Sequence, residues 1–292
     1  MIKSRFWILV ALFTFGFTNA ASSANYTGEI YDAHAHIPKG VKLEQIKSIY
    51  TEAGVSGAGL FVKDFKDSNL KKVQKQLGQD FILFADVHKR FKTKYEVQNK
   101  RIKRMEGLYN AGLIAGLGEI YTDLSFAPFA PKGIKTDITD PDEVAYLEIA
   151  NKLGMPVHIH HESPDADFEA TLRKFKNINF ILAHSGYLSP QNLDALMSEH
   201  PNLFADLSLI SNRHFGPFKK RGVLLSTNPS KEWVEVLVQH SNRFMVGSDI
   251  GANVDRVKML PAVIADYRVL LGSLPQDAAK RIASENFLRI FK

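Results

Sequence analysis

Short runs of apolar residues alternate along this chain with longer stretches in which apolar positions recur every three or four residues. The short runs have the length and composition of buried strands, and the longer stretches have the spacing of amphipathic helices. Such alternation is typical of parallel βα units. The predicted strands are residues 30–36, 58–63, 81–87, 113–119, 156–160, 180–184, 203–207 and 244–249.

Several of the intervening helices have recognisable first and last residues. Leu43, Ile46 and Tyr50 follow helical spacing, and Gly54 can end that helix. The segment Asp140-Pro141-Asp142-Glu143 predicts a capping box with proline at the first helical position. Further helices are predicted after Ser189-Pro190, after Ser230, and over residues 255–271, 275–283 and 286–291.

Eight strands separated by helices favour a single-domain (β/α)8 barrel. The chain has 292 residues, and such barrels commonly need about 250. Periodicity alone does not distinguish a closed barrel from an open doubly wound sheet, so the polar residues at the strand ends decide between them. Two long connections, residues 121–139 and 208–229, follow the C-terminal ends of strands, where a barrel builds its active site.

The first 24 residues predict a secretory signal peptide. Lys3 and Arg5 form a positive n-region, residues 6–17 are mostly apolar, and small residues follow, so that cleavage after Ala20 or Ala24 is expected. The alternative, a membrane anchor, is less favoured because the apolar run is shorter than the about 20 residues of a spanning helix. We therefore expect an exported protein, periplasmic or secreted, with a mature domain of residues 25–292.

Composition removes several classes of function. The chain is 45% hydrophobic and 23% charged, which is ordinary for a globular protein. Its net charge of +6 is scattered and partly lies in the leader, which argues against a nucleic-acid partner. The absence of cysteine excludes a thiol nucleophile, a cysteine-rich zinc site and a lipoprotein anchor. The mature domain needs no membrane, and a homo-oligomer remains open.

Two histidines on the first predicted strand indicate a metal site. His34 and His36 are two residues apart, and side chains at that spacing in a strand point the same way. Imidazole is a common ligand of zinc and similar metals. Both rings can therefore reach one cation.

Other ligand types recur at the ends of predicted strands. Glu119, His160, His184 and Asp249 close the fourth, fifth, sixth and eighth strands. Each has a structural alternative: a salt bridge for the glutamate, a satisfied core position for either histidine, and a helix cap for the aspartate. Polar tips gathered on one rim of a barrel are hard to explain by packing, so we expect all four to be metal ligands.

The remaining histidines carry weaker expectations. His158 points inward and is expected to be structural, whereas His161 faces the opposite way or leads into a loop. His88 comes after the third strand and either contacts substrate or lies on the surface. We expect His200 and His240 to be surface residues.

Four segments resemble those of the amidohydrolase-related family of metal-dependent hydrolases. They are Asp32-Ala33-His34-Ala35-His36, Pro156-Val157-His158-Ile159-His160, Ile181-Leu182-Ala183-His184-Ser185-Gly186 and Gly247-Ser248-Asp249. The segment Gly116-Leu117-Gly118-Glu119-Ile120 also resembles the glutamate-bearing fourth strand of TatD-type and phosphotriesterase-like members. The next residues, Tyr121-Thr122-Asp123-Leu124, depart from the TatD-type pattern, which argues against a nuclease and leaves the metal count open.

The resemblance implies a ligand set and a mechanism. One divalent metal would be held by His34, His36 and Asp249, and a second by His160 and His184, with Glu119 between them. Nitrogen and oxygen ligands without sulfur suit zinc, and also manganese, iron or nickel. The metal would activate a water, and Asp249 would accept its proton.

The implied reaction is hydrolysis of an ester, lactone or amide bond of a small molecule. Charged and polar residues in or near the loops would bind this substrate: Lys63, His88, Tyr121 and Arg213. A phosphoesterase or TatD-like nuclease, a zinc-dependent decarboxylase and a non-catalytic periplasmic binding module remain alternatives.

Overall fold

In the computed structural model, residues 25–37, 40–63, 66–87, 96–124, 137–208, 227–251 and 254–292 are described. Within these ranges, eight parallel strands follow one another in chain order around a single sheet. The strands are β1 (Tyr31–His36), β2 (Gly57–Val62), β3 (Phe81–Ala85), β4 (Gly116–Asp123), β5 (Val157–His161), β6 (Phe180–Leu182), β7 (Leu203–Asp206) and β8 (Phe244–Met245). The predicted (β/α)8 architecture is confirmed.

Helices connect the strands on the outside of the sheet. They are α1 (Leu43–Glu52), α2 (Asp67–Leu77), α3 (Glu96–Asn110), α4 (Pro141–Leu153), α5 (Ala166–Lys174), α6 (Pro190–Glu199), α7 (Lys231–Gln239), α8 (Val254–Lys258), α9 (Leu260–Gly272), α10 (Gln276–Lys280) and α11 (Asn286–Phe291). The side chains of Ser189 and Ser230 cap α6 and α7 by accepting from backbone amides. Pro141 opens α4 as predicted, but the Asp140 side chain makes no capping hydrogen bond.

Backbone hydrogen bonds between β1 and the segment after β8 close the barrel. The amide of Ala33 donates to the carbonyl of Val246 over 2.8 Å, and the amide of Asp249 donates to the carbonyl of His34 over 2.7 Å. Closure therefore brings the first and last segments of the fold side by side. It also positions Asp249 beside the two histidines of β1.

Aromatic rings fill the lower interior of the barrel. Phe287 of α11 stacks on Tyr31 with ring centroids 4.9 Å apart, and Phe291 meets Phe84 edge-on at 5.0 Å. Buried Asn286 fixes the same helix, since its side-chain amide donates to the carbonyls of Ser241 and Phe244. The final helix thus seals the end of the barrel opposite the C-terminal strand ends.

The strands that were predicted to end on Glu119, His184 and Asp249 end elsewhere in the structure. Glu119 lies inside β4, which continues to Asp123, while His184 and Asp249 lie beyond the ends of β6 and β8. For β6 and β8, the physical reason is that buried residues continue past the last ladder hydrogen bond, because the turns above the barrel are buried as well. For β4, pairing continues past the buried Glu119, where the apolar run stops. Hydrophobicity alone therefore does not mark where pairing stops.

Parts of the sequence-based predictions fall outside the described residues. The predicted signal peptide, residues 1–24, and most of the two long connections, residues 125–136 and 209–226, are among them. Across the described part of the chain, none of the helices combines the length and apolar character that crossing a bilayer requires.

We predict that Phe287→Ala destabilises the barrel by about 3–5 kcal/mol, because it removes a fully buried ring and leaves a cavity. Urea unfolding followed by circular dichroism measures the loss. Val269→Ala, at a position that is 40% exposed, is the control and should change the free energy of unfolding by less than about 0.5 kcal/mol. Equal stability of the two variants would contradict the sealing role of α11.

Candidate metal centre

Six side chains converge at the C-terminal mouth of the barrel. They come from five different strands or the turns that follow them, and each was expected from the sequence: His34, His36, Glu119, His160, His184 and Asp249. Five of them are buried or nearly so, and His36 is the most exposed, at 20%. The structure therefore brings together groups that are up to 215 residues apart in the chain.

The first group of ligand atoms combines the two histidines of β1 with Asp249. The Nε2 atoms of His34 and His36 each lie 3.3 Å from Asp249 Oδ1. The three side chains offer one ligand atom each, and these atoms all lie within 4.8 Å of one another. This is the grouping that the family resemblance implied.

The second group forms around the other side of Glu119. Its Oε1 atom lies 2.9 Å from His160 Nδ1 and 3.7 Å from His184 Nε2. Its Oε2 atom faces the first group instead, 3.7 Å from His34 Nε2 and 3.5 Å from His36 Nε2. One carboxylate thus presents a separate oxygen to each group, which is the geometry of a bridging ligand.

The buried carboxylates hold protons on the nearby histidines. Burial opposes the charged ring of His34, but the negative charges of Asp206 and Glu119 raise its pKa well above the usual range. Burial likewise opposes charge on His36 and His160, yet hydrogen bonds to their carboxylate partners raise the pKa of each to about 9. Without a cation, protons on these rings balance the acidic charges.

The pKa values of the carboxylates Glu119 and Asp249 shift in the opposite direction, below normal. Burial alone would raise the pKa of Glu119, but the charge on His34 and the hydrogen bond from His160 lower it well below the usual range. Close contacts with the rings of His34 and His36 likewise outweigh burial and lower the pKa of Asp249 far below normal. Both carboxylates are therefore ionised at neutral pH.

His184 differs from the other three histidines of the cluster. Burial, together with the positive charges of His160 and His34, lowers its pKa to about 3. Its ring is therefore neutral at physiological pH and has one nitrogen lone pair to offer. Tyr187 stacks on that ring with centroids 5.1 Å apart.

Left-handed backbone conformations place two of the six side chains. His184 has φ 55° and Asp249 has φ 47°, a region that non-glycine residues adopt at a cost of about 1–3 kcal/mol and that is enriched at functional sites. Gly118, with φ +147°, precedes the central glutamate, and a Cβ there would lie 2.6 Å from the Cβ of His158. Only glycine lets β4 approach β5 so closely.

Sequence reasoning missed Asp206, which lies at the end of β7 and is fully buried. Its Oδ2 atom is 3.1 Å from His34 Nδ1 and 2.9 Å from His158 Nε2. Burial would raise its pKa, but the charge on His34 and the contact with His158 lower that pKa well below normal. The available signal was an aspartate near the end of the otherwise apolar seventh predicted strand.

A second unpredicted carboxylate, Asp32, ties β1 to the segment after β8. It accepts from the backbone amides of Ser248 and His34 and from the hydroxyls of Ser248 and Tyr50. Burial raises the pKa of Asp32 to about 6 despite these bonds. The clamp fixes the strand that carries His34 against the turn that carries Asp249.

Two histidines of β5 lie outside the six-residue cluster, as expected. His158 sits below the cluster, buried against Phe61, with ring centroids 5.0 Å apart. His161 faces away from the cluster, where Phe168 stacks on its ring at 4.6 Å and Thr122 lies within hydrogen-bond distance.

The expectation that His200 and His240 lie on the surface is wrong. Only 2% of His200 and 5% of His240 is exposed. His240 lies between Asp194, 2.7 Å from its Nε2, and Arg243, whose guanidinium donates to its Nδ1 over 2.7 Å. Histidines that follow helices are covered here because neighbouring helices of the barrel pack over one another's ends.

The four residues proposed to bind substrate have different outcomes. Tyr121 lies beside the cluster, with its ring 5.1 Å from the ring of His160. Lys63 is largely exposed above β2 and pairs with Asp86 at 3.5 Å. His88 and Arg213 lie outside the described residues, so their roles stay predictions.

The residues present fit a divalent metal. Four imidazoles and two ionised carboxylates supply the nitrogen and oxygen donors that zinc and similar cations take. His34 Nε2 is completely buried and makes no well-directed hydrogen bond, although two carboxylates lie within 3.7 Å of it. A buried ring nitrogen without a partner is costly, and a cation would satisfy it.

Comparison with known proteins identifies a family and a fold. The sequence model of a family described as Amidohydrolase matches residues 136–292, more than half of the chain. That match includes the predicted ligands His160, His184 and Asp249. No curated protein matches the chain in sequence.

Solved structures with the same barrel are only distantly related in sequence. A TatD homologue from Escherichia coli K12 has 13% identity and a TM-score of 0.65, with 90% of this chain and 97% of the homologue covered. Dihydroorotase from Campylobacter jejuni has 17% identity and a TM-score of 0.55, with 92% of this chain and 85% of the dihydroorotase covered. A putative 2-pyrone-4,6-dicarboxylic acid hydrolase from Pseudomonas putida has 13% identity and a TM-score of 0.58, with 90% of this chain and 97% of the hydrolase covered. These likenesses show the fold.

The raised pKa values of His36 and His160 predict how the metal-free protein responds to pH. Each of these histidines has a pKa of about 9 in the folded protein and about 6.5 in the unfolded chain. Their protonation therefore stabilises the fold, and this contribution is complete below about pH 6.5. This contribution is lost as the pH rises through 9. We expect the metal-free free energy of unfolding to fall by at least about 1 kcal/mol between pH 6.5 and 9.5.

Urea titrations at fixed ionic strength, with and without zinc, measure this dependence. A bound cation replaces the protons, so the zinc-loaded protein should show a smaller decline over the same range. A metal-free stability that is flat from pH 6.5 to 9.5 would show that these rings are not held protonated.

Proposed function

The chain belongs to the amidohydrolase family, and from that premise we propose that it is a metal-dependent hydrolase acting on a small molecule. The bond that it cleaves is an ester, lactone or amide. The observation that carries this proposal is Glu119, whose two oxygens face two separate groups of nitrogen and oxygen donors. We assign two divalent cations to those groups, with zinc as the expected metal.

The chemistry that divalent cations would supply here is Lewis acidity, which would lower the pKa of a water from about 16 toward about 7 and polarise the scissile carbonyl. His34, His36 and Asp249 would hold one of them, and His160 and His184 the other. Glu119 would lie between the two. Its fixed position inside β4 would keep the distance between the two groups constant.

The chain's own residues would move the proton and orient the substrate. Asp249 is ionised at neutral pH and lies at the edge of the cluster, so it would accept the proton of the attacking water and deliver it to the leaving group. Tyr121 and Tyr187 flank His160 and His184. Their rings would exclude bulk water and help to position the substrate.

The choice among substrate classes rests on two considerations. Dihydroorotase and a 2-pyrone-4,6-dicarboxylic acid hydrolase are among the proteins whose folds resemble this one, which supports a small ring-containing ester or amide. A central carboxylate between two donor groups supports hydrolysis with two ions over decarboxylation with one zinc. A phosphoesterase is the alternative that the same metal centre would also serve.

We also propose that the protein is exported and acts in the periplasm or outside the cell. The support is the charge, apolar run and small residues of positions 1–24. N-terminal sequencing of the mature protein, expected to begin at Ala21 or Asn25, tests this proposal. A mature protein that retains its first 20 residues would contradict it.

The function is tested by assaying zinc-loaded protein on chromogenic esters, lactones, amides and phosphodiesters. We predict turnover on at least one carboxylic substrate, and that His34→Ala/His36→Ala abolishes both turnover and one bound metal ion while the barrel stays folded. His161→Ala is the matched control, since this neighbour of His160 points away from the cluster and should retain metal. Unchanged metal stoichiometry in the double variant would overturn the site, and activity confined to phosphodiesters would favour the alternative.

Asp249→Asn separates metal binding from proton transfer. The amide keeps the size and one oxygen of the side chain but cannot accept the proton. We expect most of the metal to be retained while kcat falls by about 10²–10⁴-fold. Metal analysis and steady-state kinetics on the best substrate measure both effects, and a variant with near-normal kcat would remove Asp249 from the proton-transfer role.

A further inference from the structure

Asp206 occupies a place that the proposed reaction does not use. It is fully buried at the end of β7, below the six-residue cluster. A buried carboxylate is costly unless donors surround it, and both oxygens of Asp206 are surrounded by donors. Its role therefore lies in what it does to the groups that donate to it.

Five donor groups surround the two oxygens of Asp206. The backbone amides of His184 and Ser208 donate to Oδ1 over 3.2 and 2.8 Å, and the Ser208 hydroxyl donates to the same atom. On the other side, His34 Nδ1 and His158 Nε2 lie 3.1 and 2.9 Å from Oδ2. With both oxygens occupied in this way, Asp206 is poorly placed to bind a metal directly.

The contact with His34 determines which nitrogen of that ring can bind a cation. Because the carboxylate accepts from the donors around it, Nδ1 of His34 must carry the proton of this contact. The lone pair is then left to Nε2, which faces Asp249 and Glu119. This is the arrangement in which a second carboxylate orients a histidine ligand and increases its basicity.

Ser208 extends the same control to His184. Its hydroxyl has a single proton, which it donates to Asp206, so toward His184 Nδ1, 2.7 Å away, it can only accept. His184 Nδ1 must therefore carry the proton, and the lone pair is again left to Nε2. That atom faces the opposite oxygen of Glu119, 3.7 Å away.

We propose that Asp206 is a positioning residue that fixes the tautomers of one histidine in each donor group, His34 directly and His184 through Ser208. One buried carboxylate thereby prepares a nitrogen lone pair on each side of Glu119. The proposal deepens the proposed function, because its consequence for metal binding rests on that function. The Nδ1 proton of each ring is held without a metal.

Long-range ¹H–¹⁵N NMR of the imidazole rings tests the proposal directly, because it distinguishes Nδ1–H from Nε2–H rings. In the metal-free full chain, His184 should be an Nδ1–H ring. In the zinc-loaded chain, His34 and His184 should both be Nδ1–H with metal-shifted Nε2 signals. A wild-type His184 that carries its proton on Nε2 would overturn the proposal.

Two substitutions separate the direct link from the relayed one. Asp206→Asn keeps an oxygen toward the two backbone amides and Ser208 but puts a donating amide in place of Oδ2, so the His34 tautomer should change and zinc affinity should fall by about 10–100-fold. Ser208→Ala should change the tautomer of His184 and weaken mainly the ion on that side; His34 Nδ1 loses a 3.3 Å contact with the Ser208 hydroxyl but keeps its closer contact with Asp206. The matched control is Ser185→Ala, since that buried hydroxyl donates to the backbone carbonyl of Asp206 and touches neither ring nitrogen.

The outcomes distinguish this proposal from the proposed function. Suppose that the wild-type chain binds no zinc, yet His184 is in its Nδ1–H form and loses that form in Ser208→Ala. This result would contradict the proposed hydrolase function and still support the positioning role. Asp206→Asn or Ser208→Ala with unchanged ring tautomers and unchanged zinc affinity would overturn the positioning role alone. If Asp206→Asn does not fold, the His184 tautomer in the wild-type chain and its change in Ser208→Ala still test the positioning role.

Discussion

Compensation of the charge on Glu119 is the constraint on which the upper half of this barrel depends. A carboxylate buried in a medium of low dielectric must be surrounded by protonated groups or cations. Here four histidines face its two oxygens, two on each side. Each of these rings is then held by a further carboxylate or hydroxyl, so the charge at the centre organises side chains well beyond its own contacts.

The barrel supplies this compensation from elements that are far apart in sequence. Closure of β1 against the segment after β8 places His34 and His36 beside Asp249, and Asp32 fastens that junction from below. His160 comes from the top of β5, and a left-handed turn after β6 brings in His184. The aromatic seal at the other end leaves this mouth as the place where polar groups gather.

A network of acidic residues beneath the cluster distinguishes its histidines from one another. His34 touches Asp206 through Nδ1 and both Asp249 and Glu119 through Nε2. His184 instead touches the hydroxyl of Ser208 through Nδ1 and Glu119 through Nε2. The result is one strongly basic ring and one neutral ring within the same cavity. Such opposed environments allow a site to hold cations and protons at the same pH.

Much of the fold and the six-residue cluster could be predicted from the sequence. The alternation of apolar runs predicted the eight strands, and the i, i+2 spacing of His34 and His36 indicated a shared direction. Strand ends were less predictable because buried turns are as apolar as strands, as the segment after β8 shows. Asp206 was missed because its importance lies in contacts with histidines of β1, β5 and the turn after β6, which no local pattern reveals. The burial of His200 and His240 shows the same limit, since only the packing of neighbouring helices makes those positions interior.

The most direct test of the two-cation centre is an anomalous-difference map at the zinc edge from crystals of the zinc-loaded protein. Two peaks are expected on either side of Glu119, one within about 2.0–2.2 Å of ligand atoms of His34, His36 and Asp249, and the other equally close to His160 and His184. A map without a peak between these side chains, in protein shown to be folded and exposed to excess zinc, would contradict the assignment.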